Sequence, residues 1–487
     1  MRDVKEDDVT GLIAYGAYLP HNRLRRSEIG ATLGRGGGKG TRAVASYDED
    51  TVSMAVEAGR LALRGLPADG RPQRVLFATA EPPYLDKSNA NVIHAGLALD
   101  PSALAVDMVG SVRSGAGALV FASEASMPTL AVLSDVRTGL PGGADEQDGG
   151  DGAAAFVFGP GSEGAPVIAE ILGQASATGE FLDRWRLPGA RASRVWEERF
   201  GEHAYGPLAD AAIADALKQA GITPDDVDVL VATGTHGRAV RSFVRGAGVD
   251  RVADGLQSSV GDTGTAHAGL VLADVLDRAE PGQTIAVVVL ADGATALLLR
   301  TTEALTGRRS TRSVADQIAA GDDGLRYATF LTWRGFLDRE PPRRPDPVGP
   351  AAPPSRRTAS YKYGFTGTRC TECGTVHLPA VRVCVSCYAV DHMAPQPMAD
   401  VPGTVATYTI DRLAYSPSPP VVAAVVDFDG GGRFSCELTD VDPDAVAIGE
   451  RVEMTFRRLV TAGGVHNYFW KARPVAPGTI DVQAKGV

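Results

Sequence analysis

The sequence has few cysteines, a deficit of positive charge and no long apolar run, and each shortage excludes a class of protein. Its 487 residues include five cysteines, all after residue 369, so the preceding chain cannot contain a disulfide. Lysine and arginine number 48 against 59 acidic residues, and the net charge of -11 argues against general nucleic-acid binding, although a local basic patch stays open. No apolar run approaches the roughly 20 residues that span a membrane. We therefore expect neither nucleic acid nor a membrane as a partner.

The overall composition is that of a globular protein with two or three domains. Hydrophobic residues make up 44% and charged residues 22% of the chain, which is too long for one ordinary core. The first eight residues are charged and lack the apolar segment of a signal peptide. Because clustered cysteines in a reducing compartment more often bind metal than form disulfides, we expect a cytoplasmic protein.

Four of the five cysteines form two Cys-x-x-Cys pairs, Cys370 with Cys373 and Cys384 with Cys387, separated by ten residues. Each pair turns two thiolates towards one point, and two pairs complete a tetrahedral zinc site. Iron is the alternative for this ligand set. Since sulfur fills all four positions, the predicted role is structural. Cys436 lies in an alternating strand pattern and is predicted to be a buried core thiol.

Strand and helix patterns alternate through the first 300 residues in two similar halves. The segments Asp151-Gly-Ala-Ala-Ala-Phe156 and Asp292-Gly-Ala-Thr-Ala-Leu297 occupy equivalent points, which indicates an internal duplication of about 140 residues. We place the halves at residues 1–165 and 166–305. The alternation predicts an α/β fold of mostly parallel sheets with helices on their faces.

The chain changes character after residue 305. Aromatic and apolar residues at helical spacing run from Asp323 to Glu340, and a proline-rich segment, Pro341–Pro350, follows. We expect a helical segment and linker at 306–360, with a proline-rich docking motif as the alternative use of the linker. The cysteine pairs define a zinc ribbon at 361–400. Five short strand patterns after it, one of them Val421 to Phe428, predict a small all-β OB-fold barrel at 401–487.

The stretch from Asp107 to Leu119 predicts a buried strand, a tight turn and a helix start whose amides face the turn. A helix start that only packs against its neighbours is the alternative. The stretch resembles the active-site segment of the thiolase superfamily, in its 3-hydroxy-3-methylglutaryl-CoA synthase and ketoacyl synthase III branch. There a cysteine accepts the acyl group, but here its place falls on Val112, or on Arg113 with a one-residue slip. The family's nucleophilic cysteine is therefore absent.

This resemblance implies a duplicated thiolase-like fold in five layers, α-β-α-β-α. It also implies a thioester of CoA or of acyl carrier protein as substrate, and a homodimer. Residues 361 to about 475 resemble the zinc-ribbon and OB-fold proteins that accompany acyl-CoA thiolases. The matching segments are the cysteine pairs, Gly403–Thr409, Pro419-Pro-Val-Val and the turn Ile448-Gly-Glu-Arg-Val452. For this part the resemblance implies acyl-CoA binding or protein docking, with a partner thiolase as one candidate.

Three residues take the family's catalytic positions by resemblance. His236 follows a strand of the second half and would hold a thioester oxygen, with an exposed turn histidine as the alternative. Asp262 stands where the family has asparagine, and it would act as a base or stay protonated in apolar surroundings. Glu81 resembles the general acid/base glutamate of the synthase branch, with an ordinary loop carboxylate as the alternative.

Three further residues are candidates for substrate binding: Arg113, Ser114 and Gly293. Arg113 could bind a carboxylate or a CoA phosphate, or form a salt bridge with Asp262 or Glu81. Ser114 flanks the position of the missing cysteine, and a serine there would need an adjacent base to attack a thioester.

The leading hypothesis is an enzyme that makes or breaks a carbon–carbon bond beside a thioester without a cysteine nucleophile. Cleavage of a β-hydroxyacyl thioester by a retro-aldol step is the model, with His236 holding the thioester oxygen and Glu81 or Asp262 moving the proton. One alternative is an acyltransferase of the condensing-enzyme type. The other is a non-catalytic scaffold that binds acyl-CoA or bridges to a thiolase.

Overall fold

The computed structural model describes residues 10–343 and 348–475, in two compact units. The first unit comprises residues 10–45, 50–91 and 99–330, and the second comprises 46–49, 92–98 and the chain from residue 331. The predicted charged N-terminus, part of the proline-rich linker (344–347) and the end of the predicted OB domain (476–487) lie outside the described residues. No helix within the described ranges is long and apolar enough to cross a membrane.

A nine-stranded sheet organises the first unit. The strands of this unit are β1 (Thr10–Tyr18), β2 (Asn22–Arg25), β3 (Thr41–Val44), β4 (Arg74–Thr79), β5 (Leu104–Val109), β6 (Thr129–Val136), β7 (Asp151–Pro160), β8 (Ala169–Ala177), β9 (Arg184–Trp185), β10 (Arg194–Val195), β11 (Val229–Gly234), β12 (Thr284–Leu290) and β13 (Ala294–Thr301). The sheet order is β11-β12-β13-β8-β1-β7-β6-β4-β5. From the central pair β1–β8 outward, β1-β7-β6-β4 and β8-β13-β12-β11 follow the same plan, as expected of a duplicated chain.

The prediction of mostly parallel sheets is wrong. Only β4 with β5, β4 with β6, and β11 with β12 are parallel pairs in the nine-stranded sheet, and its other contacts are antiparallel. The turn between β12 and β13 shows the physical reason. It contains three residues, Ala291 to Gly293, too few for the crossover that a parallel pair needs.

The helices complete a layered arrangement. They are α1 (Arg26–Leu33), α2 (Thr51–Leu63), α3 (Ala90–Gly96), α4 (Arg113–Ser123), α5 (Ala144–Asp148), α6 (Glu198–Ala220), α7 (Gly237–Gly246), α8 (His267–Arg278), α9 (Val314–Ala319), α10 (Tyr327–Trp333), α11 (Ala352–Arg357) and α12 (Ala359–Lys362). Both α4 and α8 contact strands of the two halves, whereas α2 packs on the first half and α6 and α7 on the second. The predicted five-layer thiolase-like fold is confirmed.

The second unit contains two small β structures. Strands β14 (Thr366–Cys370), β15 (Val376–His377) and β16 (Met393–Pro397) form a three-stranded sheet. Strands β17 (Gly403–Asp411), β18 (Val421–Phe428), β19 (Arg433–Leu438), β20 (Arg451–Ala462) and β21 (Val465–Pro474) close into a barrel in the order β17-β18-β19-β21-β20. The predicted zinc ribbon and OB-fold barrel are thus confirmed. The helical pattern predicted from Asp323 to Glu340 yields only α10.

Candidate active site and metal centre

The start of α4 carries no nucleophilic side chain at the expected position. Val112 is the N-cap residue of α4, is 9% exposed, and belongs to the main hydrophobic core of the first unit. Ser114 lies in the first turn and is half-buried, and its amide donates to the Ser111 carbonyl (3.1 Å). The Ser114 hydroxyl is therefore the polar side-chain group that this turn can offer to a bound molecule.

Arg113 contacts the loop between β12 and β13. Its guanidinium donates to the carbonyl of Asp292 and, over 2.7 Å, to the hydroxyl of Thr178. A Cβ on Gly293 would lie 1.9 Å from Arg113 Nη1, so only glycine permits this approach. The structure thereby brings together Arg113 and Gly293, two of the three predicted substrate-binding residues. The suggested salt bridge from Arg113 to Asp262 or Glu81 is not formed among the described residues, because the guanidinium turns to these uncharged oxygens.

Glu81 follows β4 and forms an ion pair with Arg186, which also donates to the carbonyl of Ala80. Burial raises the pKa of Glu81 even though Arg186 acts in the opposite direction. The Glu81 side chain nevertheless keeps 45% of its surface exposed. An accessible carboxyl group with a raised pKa exchanges protons with a bound molecule more readily than an ordinary carboxylate does.

A half-buried arginine that follows β6, Arg137, interacts electrostatically with both Glu81 and Asp262. Burial alone would lower the pKa of Arg137, but the carboxylates of Asp262, Asp135, Asp145 and Glu81 outweigh it and raise the pKa. The guanidinium therefore stays charged among converging carboxylates. Two predicted catalytic residues, Glu81 and Asp262, consequently lie in the field of the same cation.

Asp135 and the Asp262 loop fix the geometry around this arginine. Asp135 is fully buried and accepts hydrogen bonds from the amide and hydroxyl of Thr265, both 3.0 Å, and burial raises its pKa. Asp262 accepts from the Gly264 amide (2.8 Å). A Cβ on Gly115, in the first turn of α4, would lie 2.6 Å from the Thr265 carbonyl oxygen. The Asp262 loop thus packs directly on the helix start that contains Ser114.

His236 is the N-cap residue of α7, immediately beyond β11. Its Nδ1 accepts the backbone amide of Ala239 (3.0 Å), and the side chain is only 6% exposed, so the alternative of an exposed turn histidine is wrong. The ring lies 6.1 Å, centroid to centroid, from that of the fully buried Tyr205. Within the described parts of the chain Nε2 has no hydrogen-bond partner. This nitrogen is the remaining polar atom that His236 can offer to a ligand.

Four residues of this region were not predicted from the sequence: Asp135, Arg137, Asp183 and Arg186. The first two stand at the end of the buried strand β6, and a charged group at such a strand end is a signal that could have found them. Asp183 and Arg186 border the two-residue strand β9, which pairs with β10. So short a hairpin leaves no periodic pattern in the sequence.

The four predicted metal ligands converge in the zinc ribbon. The sulfurs of Cys370, Cys373, Cys384 and Cys387 all lie within 4.8 Å of one another, and the Cys370–Cys387 and Cys373–Cys384 separations are 3.6 and 3.5 Å. A tetrahedral zinc with Zn–S bonds of about 2.3 Å has sulfur–sulfur edges of about 3.8 Å. The ligand set therefore fits zinc, and a bound ion would have no open position for substrate.

Comparisons with known proteins identify the C-terminal modules. Residues 360–391 match the family model described as the ChsH2 rubredoxin-like zinc ribbon domain. Residues 396–457 match the model of the ChsH2 C-terminal OB-fold domain. These matches agree with the four-cysteine cluster and the closed barrel.

The chain has relatives of known name. Over 294 residues the chain is 30% identical to the hydroxymethylglutaryl-CoA synthase of Pyrococcus horikoshii, covering 58% of this chain and 83% of the relative. It is also 30% identical over 350 residues to the synthase of Caldivirga maquilingensis, covering 67% of this chain and 98% of the relative.

Solved structures show the same fold. The HMG synthase of the curacin biosynthetic pathway, in complex with an acetyl donor carrier protein, matches with a TM-score of 0.58 at 17% identity, over 67% of this chain and 88% of that one. An HMG-CoA synthase complexed with CoA matches with a TM-score of 0.54 at 17% identity, over 64% and 87% of the two chains. From the sequence identity and coverage of the named relatives, the chain belongs to the hydroxymethylglutaryl-CoA synthase family.

Proposed function

We propose that the protein is an enzyme that makes or breaks a carbon–carbon bond next to a CoA thioester without an acyl-enzyme intermediate. Val112 carries this proposal, because it stands at the helix start where the family resemblance places a cysteine. A valine side chain cannot accept an acyl group. Glu81 and Asp262 provide carboxylates near one half-buried arginine, Arg137, and carboxylates support acid–base chemistry.

In the cleavage direction the substrate is a β-hydroxyacyl thioester. A base takes the hydroxyl proton, the bond between Cα and Cβ breaks, and its electron pair forms the thioester enolate. Glu81, whose pKa burial raises, returns a proton to Cα, and Asp262 is the second candidate for this role. His236 donates its Nε2–H to a substrate oxygen. The condensation direction uses the same groups in reverse order.

The test combines intact-protein mass with product analysis after incubation with acyl-CoA and β-hydroxyacyl-CoA esters. We expect cleavage products without an acyl adduct on the chain. Glu81→Gln should lower turnover by about 100-fold or more. Glu303→Gln, at an exposed position of the same unit, should leave turnover unchanged. A stable adduct on the wild-type chain, or full activity of Glu81→Gln, would contradict this mechanism.

Mass and product analysis of the same incubations also distinguishes the two other candidate functions. An acyltransferase of the condensing type would move the acyl group to a second thioester without cleaving the β-hydroxyacyl substrate. A scaffold would give neither product nor adduct and would leave a partner thiolase to be identified by co-purification. The raised pKa of Glu81 favours the enzyme, since a scaffold has no use for a proton-exchanging carboxyl group.

A homodimer is part of the proposal. Strand β5 is the last strand of the nine-stranded sheet, and its terminal residues Leu104 and Val109 are 56% and 46% exposed. An unpaired apolar sheet edge is suited to pairing with a second copy. Light scattering of the intact chain should give twice the monomer mass, and Leu104→Lys should shift it towards monomer. The thiolates of the metal centre need a reducing compartment, which supports a cytoplasmic location.

A further inference from the structure

The barrel of the second unit contains a cavity with a volume of about 490 Å³. This volume lies within the range of small-molecule binding sites. All five barrel strands, β17 to β21, contribute residues to its lining, and these residues lie between positions 407 and 471 of the second unit. The cavity is therefore a feature of the barrel itself.

The cavity opens where β19 and β21 separate. Within the described barrel these two strands pair at a single register position, Leu438 with Ala472. The segments that follow the gap on its two sides, residues 434–437 and 469–471, both line the cavity. On the neighbouring strand β18 the lining side chain of Ala423 is small and leaves the space open. The strand pairing and the small side chain together account for the cavity.

Aromatic side chains give the cavity an apolar wall. The rings of Phe434 and Phe469 lie 5.9 Å apart, centroid to centroid, and both line the cavity. Trp470 lines it as well, and its indole nitrogen donates to the backbone carbonyl of Tyr363 (3.0 Å). Because this donor is already satisfied within the protein, the ring offers the cavity an apolar surface. A ligand with an apolar surface would release water from this wall.

The charged groups of the lining are paired with each other and with the neighbouring chain. Among the described lining residues, Lys471 is the single cation and Glu437 is the single carboxylate. The Lys471 ammonium lies 2.8 Å from Glu437 and 2.9 Å from the buried Asp48. A fatty acid, a nucleotide or a single-stranded nucleic acid would need a cation that is not already paired. The lining therefore favours a neutral ligand over an anionic one.

We propose that the barrel cavity binds a neutral alkyl chain, which packs against Phe434, Phe469 and Trp470. The chain belongs either to a free neutral lipid or to the acyl group of a thioester, since both present the same apolar surface. Binding is noncovalent. Cys436 also lines the cavity, but burial raises the pKa of its thiol to about 12, so the reactive thiolate does not form near neutral pH.

Isothermal titration of the full chain with 1-decanol, decanoate, decanoyl-CoA and acetyl-CoA tests the proposal. The wild-type protein should bind 1-decanol at least about tenfold more tightly than decanoate, because a carboxylate without a paired cation is costly to bury. If the chain comes from a thioester, decanoyl-CoA should bind more tightly than acetyl-CoA, and filling the cavity should remove this difference. If it comes from a free lipid, filling the cavity should weaken 1-decanol binding and leave both thioester affinities unchanged.

Two variants fill the cavity from exposed positions, so the barrel should fold in both. Ala423→Phe places a phenyl group in the cavity and should weaken 1-decanol binding at least about tenfold, since the ring occupies the apolar surface that the chain would cover. Ser435→Phe does the same from β19 and decides the question if the first variant does not fold. Ala445→Phe, at an exposed alanine of the same barrel outside the cavity, is the matched control and should bind as wild type does. Circular dichroism checks the folding of all three.

The proposal is overturned if the wild-type chain does not bind 1-decanol, or if a folded cavity variant keeps the wild-type affinity for it. Equal binding of decanoate and 1-decanol would overturn the argument from charge. An equal loss of affinity in Ala445→Phe would mean that the alkyl chain adsorbs elsewhere on the barrel, which also contradicts the proposal. The ligands of this titration have no β-hydroxyl group to cleave, so the outcome is independent of the proposed carbon–carbon chemistry.

Discussion

Replacing Arg457 with leucine should reduce the free energy of unfolding of the second unit by about 3–5 kcal/mol. The Arg457 side chain is fully buried in β20 and forms ion pairs of 2.5 Å with Glu49 and with Asp440. Its Nη1 lies 3.7 Å from Asp48, which is also fully buried. Leucine would leave these carboxylates without the guanidinium, and a buried charge that loses its partner is strongly destabilising.

Arg433→Leu is the matched control in the same barrel. Arg433 pairs with Asp427 over 2.5 Å, but the two side chains are 65% and 46% exposed. Solvent screens such a pair, so the control should lose no more than about 1 kcal/mol. Urea unfolding followed by tryptophan fluorescence measures the difference, since Trp470 is buried in the second unit. Equal losses for the two variants would refute the argument from burial.

Acid should reduce the difference in free energy of unfolding between the wild type and Arg457→Leu. Burial would raise the pKa of Asp48, but Lys471 and Arg457 outweigh it and lower the pKa to about 2. An acid whose pKa falls on folding contributes stability above its ordinary pKa, near 4, and this stability is lost as the pH drops towards 2. The free energies of unfolding of the two proteins should therefore converge as the pH falls from about 4 to about 2. A constant difference over this range would exclude Asp48 as its source.

Three further substitutions test separate parts of the molecule. Val112→Cys combined with Asp262→Asn, which removes the neighbouring carboxylate, should give a chain that gains one acyl group in mass after incubation with acetyl-CoA, and absence of this adduct would mean that the start of α4 does not hold a thioester. Cys373→Ser should lose the zinc measured by metal analysis and lower the melting temperature, whereas Cys436→Ser should keep the zinc; equal zinc contents would contradict the assigned ligands. Asp50→Ala removes the hydrogen bonds that cap the amides of α2 (3.0 and 2.9 Å) and should lower the free energy of unfolding in urea by about 1 kcal/mol. An unchanged free energy of unfolding would contradict this capping role.

The zinc ribbon and the barrel could be predicted closely because their signals are local. Two residues between paired cysteines are enough to direct both sulfurs to one point, whatever the rest of the chain does. The predicted strand Val421–Phe428 has the bounds of β18, since alternating residues and flanking turn signals limit a barrel strand at both ends. Such patterns depend on neighbours in the sequence rather than on distant contacts.

The strand directions of the first unit could not be predicted in the same way. Alternation of strands and helices is equally compatible with parallel pairs and with the antiparallel returns β6–β7 and β12–β13. Direction depends on which strand the returning chain meets, and that is a tertiary contact. The duplication could be recognised because it repeats residues. The repetition does not tell which strands pair or in which direction.

The candidate site was only partly predictable because most of its charges come from outside the motifs. Glu81 and Asp262 were named from resemblance, yet their common partner Arg137 lies at the end of another strand. Arg186 reaches Glu81 across 105 positions of sequence. No spacing rule connects residues so far apart, so the electrostatics of the site required the fold.

Two departures of this chain from the family pattern, Val112 and Asp262, have one physical explanation. An asparagine at 262 would remove one of the carboxylates that raise the pKa of the half-buried Arg137, so the aspartate suits this arginine. An aspartate near the helix start would, when ionised, oppose ionisation of a cysteine thiol at 112, and thiolate is the reactive form. A carboxylate-rich site and a cysteine nucleophile are thus poorly compatible at this position. Under the proposed mechanism, both departures favour acid–base catalysis over a covalent intermediate.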